Sequence, residues 1–242
     1  MSLIYKITRK FQNLIRFEKM NPISTFDFDE RFDEIKSINN IDLFKKAIYE
    51  NDELKEVIWI AIYHCLNTFN ATNEFLTVLN KNFKLIADLV EGDERKVIIP
   101  NYVKEEYHKG NILATFHNHF EGAILPSFND FNNSILSKLK FTVITSECYI
   151  GIIINENEKY DSKIFQLSIN NFKLFEAYLN FCFSNDEFES IKSLEKKFDG
   201  DEFKKQREIL FDKYVSDNFE KFVVEFNSRM EKFNVYYVYI IL

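Results

Sequence analysis

The strongest constraint on how this chain folds is a change of hydrophobic period near residue 70. Before it, Leu54, Val57, Ile58, Ala61, Ile62, Cys65, Leu66 and Phe69 recur at the three- and four-residue steps of one helix face. Trp59, Ile60 and Tyr63 widen that face until most of the circumference is apolar, as in a helix central to a domain. Asn70, Thr72 and Asn73 stop it. After them the pattern shortens. Residues 74–79, 85–90, 97–99 and 112–119 read as strands, with Pro100 and a polar connection over 101–110 between the last two. A helix starts at Ser127 and carries Phe128, Phe131, Ile135 and Leu139 along one side. Residues 141–145 and 149–154 read as a strand pair, with 164–167 as a further strand. The alternation predicts an α/β (α+β) domain over residues 50–170.

Three regions follow from the pattern: 1–48, helical and mixed, broken at Asn21-Pro22 and by the polar stretch 37–40; 49–170, the central domain; and 171–242, helical and charge-laced. Gly200 divides two helices of the last region, and the apolar run 235–242 has the character of a strand. The 27 Phe and 12 Tyr against five Gly and three Pro point to a dense aromatic core with few tight turns. A formal charge of -7 argues against nucleic acid as a partner. Cys65, Cys148 and Cys182 sit apart in apolar runs with no CxxC pair, the usage of buried thiols in a reducing compartment. Lys6, Arg9 and Lys10 alternate with Ile4, Ile7 and Phe11 and form no signal peptide. The apolar run 57–66 is too short to span a bilayer. The expectation is a cytoplasmic protein with no membrane partner; the oligomeric state is not legible.

The chemistry lies in residues 116–130, Phe-His-Asn-His-Phe-Glu-Gly-Ala-Ile-Leu-Pro-Ser-Phe-Asn-Asp. On a strand, His117 and His119 project from the same face, because the side-chain period is two. Asp130, in the first turn of the next helix, can swing back to the strand end. Two imidazoles and one carboxylate leave a fourth tetrahedral position open, which is how catalytic zinc is held.

This segment, H-x-H, seven residues, Ser, two residues, Asp, resembles the JAMM motif of the MPN/JAB-domain zinc metallopeptidases. It is nearest to prokaryotic JAB and RadC-like sequences, which share His-Asn-His, a glycine at the place of Gly122 and Pro-Ser at the place of Pro126-Ser127. Phe120 stands where the family usually has proline. The resemblance implies an MPN/JAB-like fold of cytidine-deaminase-like architecture, a mixed sheet flanked by helices. It implies zinc on His117, His119 and Asp130, and Ser127 as donor to the oxyanion. It also implies an upstream glutamate as general base, at the start of a strand after the first long helix. Glu74 occupies that place, with Glu91, Glu94, Glu105 and Glu106 as competitors in polar stretches. The implied reaction is hydrolysis of a peptide or isopeptide bond, on a protein substrate such as a ubiquitin-like or sulfur-carrier protein. The alternatives are an MPN-fold scaffold that binds a partner without catalysis, and a RadC-like protein of a DNA-linked or mobile-element system.

Each residue also has a plainer role open to it. Ser127-x-x-Asp130 is a helix-capping arrangement, compatible with the site because capping would fix the helix that presents Asp130. His64 lies in the apolar helix as a core or rim residue, and His108 in a polar connection as a solvated one. No histidine follows His119, which argues against amidohydrolase, PHP-type and cupin sites, all of which need further His ligands.

Overall fold

In a computed structural model the described residues are 52–69, 71–93, 96–119, 125–146, 149–157 and 162–241. The expected N-terminal helical region, Glu94, Phe120, Gly122 and Cys148 lie outside them. The described residues form a six-stranded mixed sheet with seven α-helices. In chain order these are α1 (Asp52–Asn67), β1 (Phe75–Asn80), β2 (Leu85–Glu91), α2 (Asn101–His108), β3 (Ile112–Asn118), α3 (Phe128–Leu136), β4 (Phe141–Thr145) and β5 (Tyr149–Asn155). Then come α4 (Ser162–Asp186), α5 (Phe188–Lys197), α6 (Gly200–Asp217), α7 (Phe219–Met230) and β6 (Val235–Ile241).

The sheet order is β2-β1-β3-β4-β5-β6. Every neighbouring pair is antiparallel except β3 and β4, which run parallel with α3 as the crossover. Strand alternation sorts the side chains into two layers. Leu79, Phe116, Val143, Ile150, Ile152 and Ile154 meet Leu54, Val57, Ile58, Ala61 and Ile62 of α1 on one face. On the other, Ile153, Val235, Tyr237 and Tyr239 meet Phe131 and Ile135 of α3, Phe172 and Phe175 of α4 and Phe222 and Phe226 of α7. A third cluster closes the β1–β2 end, where Leu76, Val78, Ala87 and Ile112 pack with Val103 of α2 and Leu139.

The aromatic surplus goes mainly to the α3–α4–α7 layer. Phe131 stacks on Phe172 at 4.6 Å between centroids, and Phe226 sits edge-on to Phe131, Phe172 and Phe175. Such pairs add about 0.5–1.5 kcal/mol each beyond burial. Gly151 of β5 admits a Tyr ring: a Cβ there would lie 1.9 Å from the Tyr237 hydroxyl oxygen. Tyr237 and Tyr239 come from the apolar C-terminal run, so β6 and the helices before it share a sheet and a core with the central region. Residue 170 falls inside α4.

Three expectations are corrected. The connection 101–110 contains α2, which has no side-chain cap and one buried residue, Val103; nothing in so polar a stretch shows helical periodicity. Residues 97–99 alternate in burial as a strand would, but pair with no ladder; Val97 and Ile99 pack on the third cluster while Ile98 is exposed. Residues 164–167 belong to the first turns of α4, whose register continues through Phe172, Phe175, Leu179 and Phe183. In addition, α3 ends at Leu136, so Leu139 is buried beyond the helix and in a different cluster from Phe131 and Ile135.

Among the described residues no helix is long and apolar enough to cross a membrane.

Candidate metal centre

The site is assembled at the C-terminal end of β3 and the N-terminal end of α3. Strand alternation puts His117 and His119 on the α3 side of the sheet. His117 is held by pairing to both neighbours, opposite Leu76 of β1 and Ile144 of β4, and the His119 N–H donates to the Thr145 carbonyl at 2.9 Å. Two strands therefore fix the His117 backbone, and β4 holds that of His119.

Asp130 is fixed by the helix it starts. Ser127 is the N-cap, in extended conformation (φ -70, ψ 166), and its Oγ accepts from the Asp130 N–H at 3.2 Å. The Asp130 carboxylate accepts in return from the Ser127 N–H, Oδ2 at 2.8 Å. This reciprocal capping box, with Asp in the place more often taken by Glu, satisfies two otherwise orphaned N–H groups.

The carboxylate so held faces both imidazoles. Asp130 Oδ1 lies 3.0 Å from His117 Nε2, Asp130 Oδ2 3.5 Å from His119 Nε2, and the two Nε2 atoms are 3.2 Å apart. Among the described residues this is the group of three or more His, Cys, Asp or Glu side chains whose ligand atoms converge, all within 4.8 Å. Burial would raise the Asp130 pKa, but the charge and hydrogen bonds of His117 and His119 outweigh it and hold the carboxyl well below the ordinary aspartate value. Asp130 is ionised at neutral pH, as a metal ligand must be.

Glu74 reaches the same place through strand register. Leu76 lies opposite His117, the last paired position, and Glu74, two residues earlier, lies on the face of the histidines. It is half-buried. Its pKa is raised by burial, then lowered in part by His117 and His119, with Asp130 and Asp93 adding to the rise. A groove of about 500 Å³ is lined by Glu74, His117, His119, Ser127 and Asp130 together. Val97, Ile99 and Tyr107 also line it. Glu91, Glu105 and Glu106 do not line it: Glu91 accepts from the Asn73 side chain, and Glu106 from Asn111 and Lys109.

Ser127 accepts one hydrogen bond through Oγ and is exposed, which leaves its O–H able to donate into the groove. His64 is fully buried against Thr77 (Nδ1 to Oγ1, 3.0 Å), and burial first, then His117, push its pKa down to about 3. It is a neutral core residue. His108 is exposed at the end of α2 and lines the groove rather than standing clear of it.

Two residues near the centre escaped sequence reasoning. Asn118, between the histidines, is buried on the opposite face and bonded to the backbone around Glu74. Tyr237 is fully buried close enough to Asp130 to feel its charge; burial first, then Asp130, raise the phenol well above its ordinary value. An Asn inside H-x-H is a visible signal, since its amide carries both a donor and an acceptor to be satisfied if buried. Nothing local could have brought Tyr237 to Asp130.

No protein-family model, curated protein or solved structure matches this chain.

Proposed function

We propose that this chain is a zinc-dependent hydrolase of peptide or isopeptide bonds, with an MPN/JAB-like fold and a JAMM-type site. The observation that carries the reading is the convergence of three groups: His117 Nε2 and His119 Nε2 lie 3.2 Å apart, with Asp130 Oδ1 3.0 Å from the first and Asp130 Oδ2 3.5 Å from the second. Ligand bonds of 2.0–2.1 Å in a tetrahedron place neighbouring donors about 3.3 Å apart. Each Nε2 can aim its one proton or lone pair at only one of its two neighbours, whereas a cation between them engages all three groups. An ionised Asp130 and two imidazoles are a donor set that fits zinc and leaves room for substrate or water.

Zinc bound there supplies Lewis acidity, polarising a carbonyl and making water acidic near neutral pH. The rest falls to this chain's side chains. The Glu74 carboxylate accepts the proton of the attacking water and returns it to the leaving amine; a raised pKa suits it to both transfers. The Ser127 O–H donates to the oxyanion that develops on the carbonyl. In this reading an extended chain would lie in the groove beside the centre, whose apolar lining includes Leu76, Val97, Ile99 and Leu139. In this reading the substrate is a protein or peptide, such as a ubiquitin-like or sulfur-carrier tail.

The test is metal content together with cleavage. Purified protein holds about one zinc per chain and cleaves a fluorogenic peptide or isopeptide library; Glu74→Gln keeps the zinc and abolishes cleavage. Wild type that holds no zinc overturns the reading. Zinc without cleavage favours a partner-binding scaffold instead.

A further inference from the structure

The residue between the two histidines has no place in the ligand set or the proton transfers, yet it is among the most constrained in the site. Asn118 is 3% exposed. Its Oδ1 accepts from the Phe75 N–H at 2.6 Å, and its Nδ2 donates to the Asn73 carbonyl at 3.0 Å. These two atoms bracket Glu74. The other two polar backbone atoms of that stretch are also paired: the Glu74 N–H donates to the Asp93 carbonyl at 2.8 Å, and the Glu74 carbonyl accepts from the Gly92 N–H at 2.8 Å.

The reason for a side-chain amide lies in the sheet. Main-chain pairing of β1 with β3 ends at Leu76 and His117, and beyond it the strands part. The His119 N–H turns to Thr145 on β4, while Glu74 pairs with the residues that follow β2. Continued main-chain pairing cannot bridge that divergence. An amide carries one donor and one acceptor on a short arm, so Asn118 supplies one more rung from a side chain. Gly92 secures the opposite side, because a Cβ there would lie 2.2 Å from the Lys96 carbonyl oxygen.

We propose that Asn118 is a positioning residue that locks the Glu74 carboxylate to the strand bearing His117 and His119, so that general base and metal ligands move as one body. This rests on the reading of Glu74 as general base. Strand alternation makes the device economical: the histidines face the groove, and the amide between them clamps the base from the opposite face. A shift of about 1 Å in such a group costs up to roughly a hundredfold in rate. The effect falls on kcat, because Asn118 lies outside the groove lining and touches no substrate.

The experiment compares wild type, Asn118→Ala, Gly92→Ala and Glu74→Gln for zinc content, kcat and KM on a fluorogenic peptide library, and amide exchange at Phe75. Asn118→Ala keeps about one zinc per chain and loses roughly ten- to a hundredfold in kcat at nearly unchanged KM, with faster exchange at Phe75. Gly92→Ala, acting from the other side of the segment, reproduces the kcat loss. Undiminished kcat in a folded, zinc-loaded Asn118→Ala overturns the inference and leaves the hydrolase reading intact. Loss of zinc in step with activity overturns it too, because Asn118 would then support the ligands and not the base. If wild type cleaves nothing while Glu74→Gln is indistinguishable from it, both the inference and the hydrolase reading fall.

Discussion

Asp130 and Ser127 hold each other: the carboxylate takes the Ser127 N–H at 2.8 Å while the Ser127 hydroxyl oxygen takes the Asp130 N–H at 3.2 Å. In the proposed site, one carboxylate is thereby both helix cap and metal ligand. Ser127→Ala removes the side-chain half of this pair. It is expected to cost about 1 kcal/mol of stability and, with the oxyanion donor gone, roughly a hundredfold or more in kcat. Chemical denaturation beside steady-state kinetics separates the two effects. A Ser127→Ala enzyme of full activity would remove the hydroxyl from the mechanism and leave only the cap.

In the proposed reading zinc binds the folded state, so metal removal is expected to destabilise the fold. At free zinc one hundred times its Kd the holoprotein gains about 2.7 kcal/mol over the apoprotein. Thermal melts with and without chelator read this difference, and it should vanish in His117→Ala and in Asp130→Asn. A chelator-sensitive melt that persists in both variants would place the metal elsewhere.

His64 carries a pH signature of its own. Its ordinary pKa near 6.5 falls to about 3 in the folded chain, chiefly through burial. The depressed value means that the unfolded chain takes up a proton first as pH falls. The His64 contribution is complete above pH 6.5 and is lost on acidification towards pH 3, by about 1.4 kcal/mol per pH unit while only the unfolded state is protonated. Urea denaturation of wild type and His64→Gln at pH 7.5 and 5.0 isolates this share, because every other side chain is common to both. Equal pH slopes in the two proteins would show that His64 titrates normally.

Gly151→Ala tests the packing of the last strand. The added methyl collides with the Tyr237 hydroxyl, which is walled in by the aromatic cluster. The expected loss is about 1–3 kcal/mol, with Tyr237 displaced from beside Asp130. The double variant with Tyr237→Phe should recover part of the loss. No recovery would mean that the collision with the Tyr237 ring carbons, and not with its hydroxyl, sets the cost.

The sequence by itself determined what depends on neighbours a few residues away. Period-two alternation put His117 and His119 on one face, helical spacing defined α1, and Ser127-x-x-Asp130 declared the cap that aims the carboxylate. The apolar run 235–242 announced a strand without naming its partner. Local patterns failed where packing overrides them. α2 forms from a polar stretch because Val103 and Tyr107 anchor it on the third cluster, and 97–99 has strand character but no ladder. Only the tertiary structure decided which glutamate meets the histidines, because that turns on the β1–β3 register, a pairing between segments far apart in the chain. It alone brought the Asn118 amide to the backbone on either side of Glu74, and Tyr237 from the last strand to the neighbourhood of Asp130. Hydrophobic period reports which face of an element is buried; register and the choice of strand neighbour are set by the summed packing of the whole core.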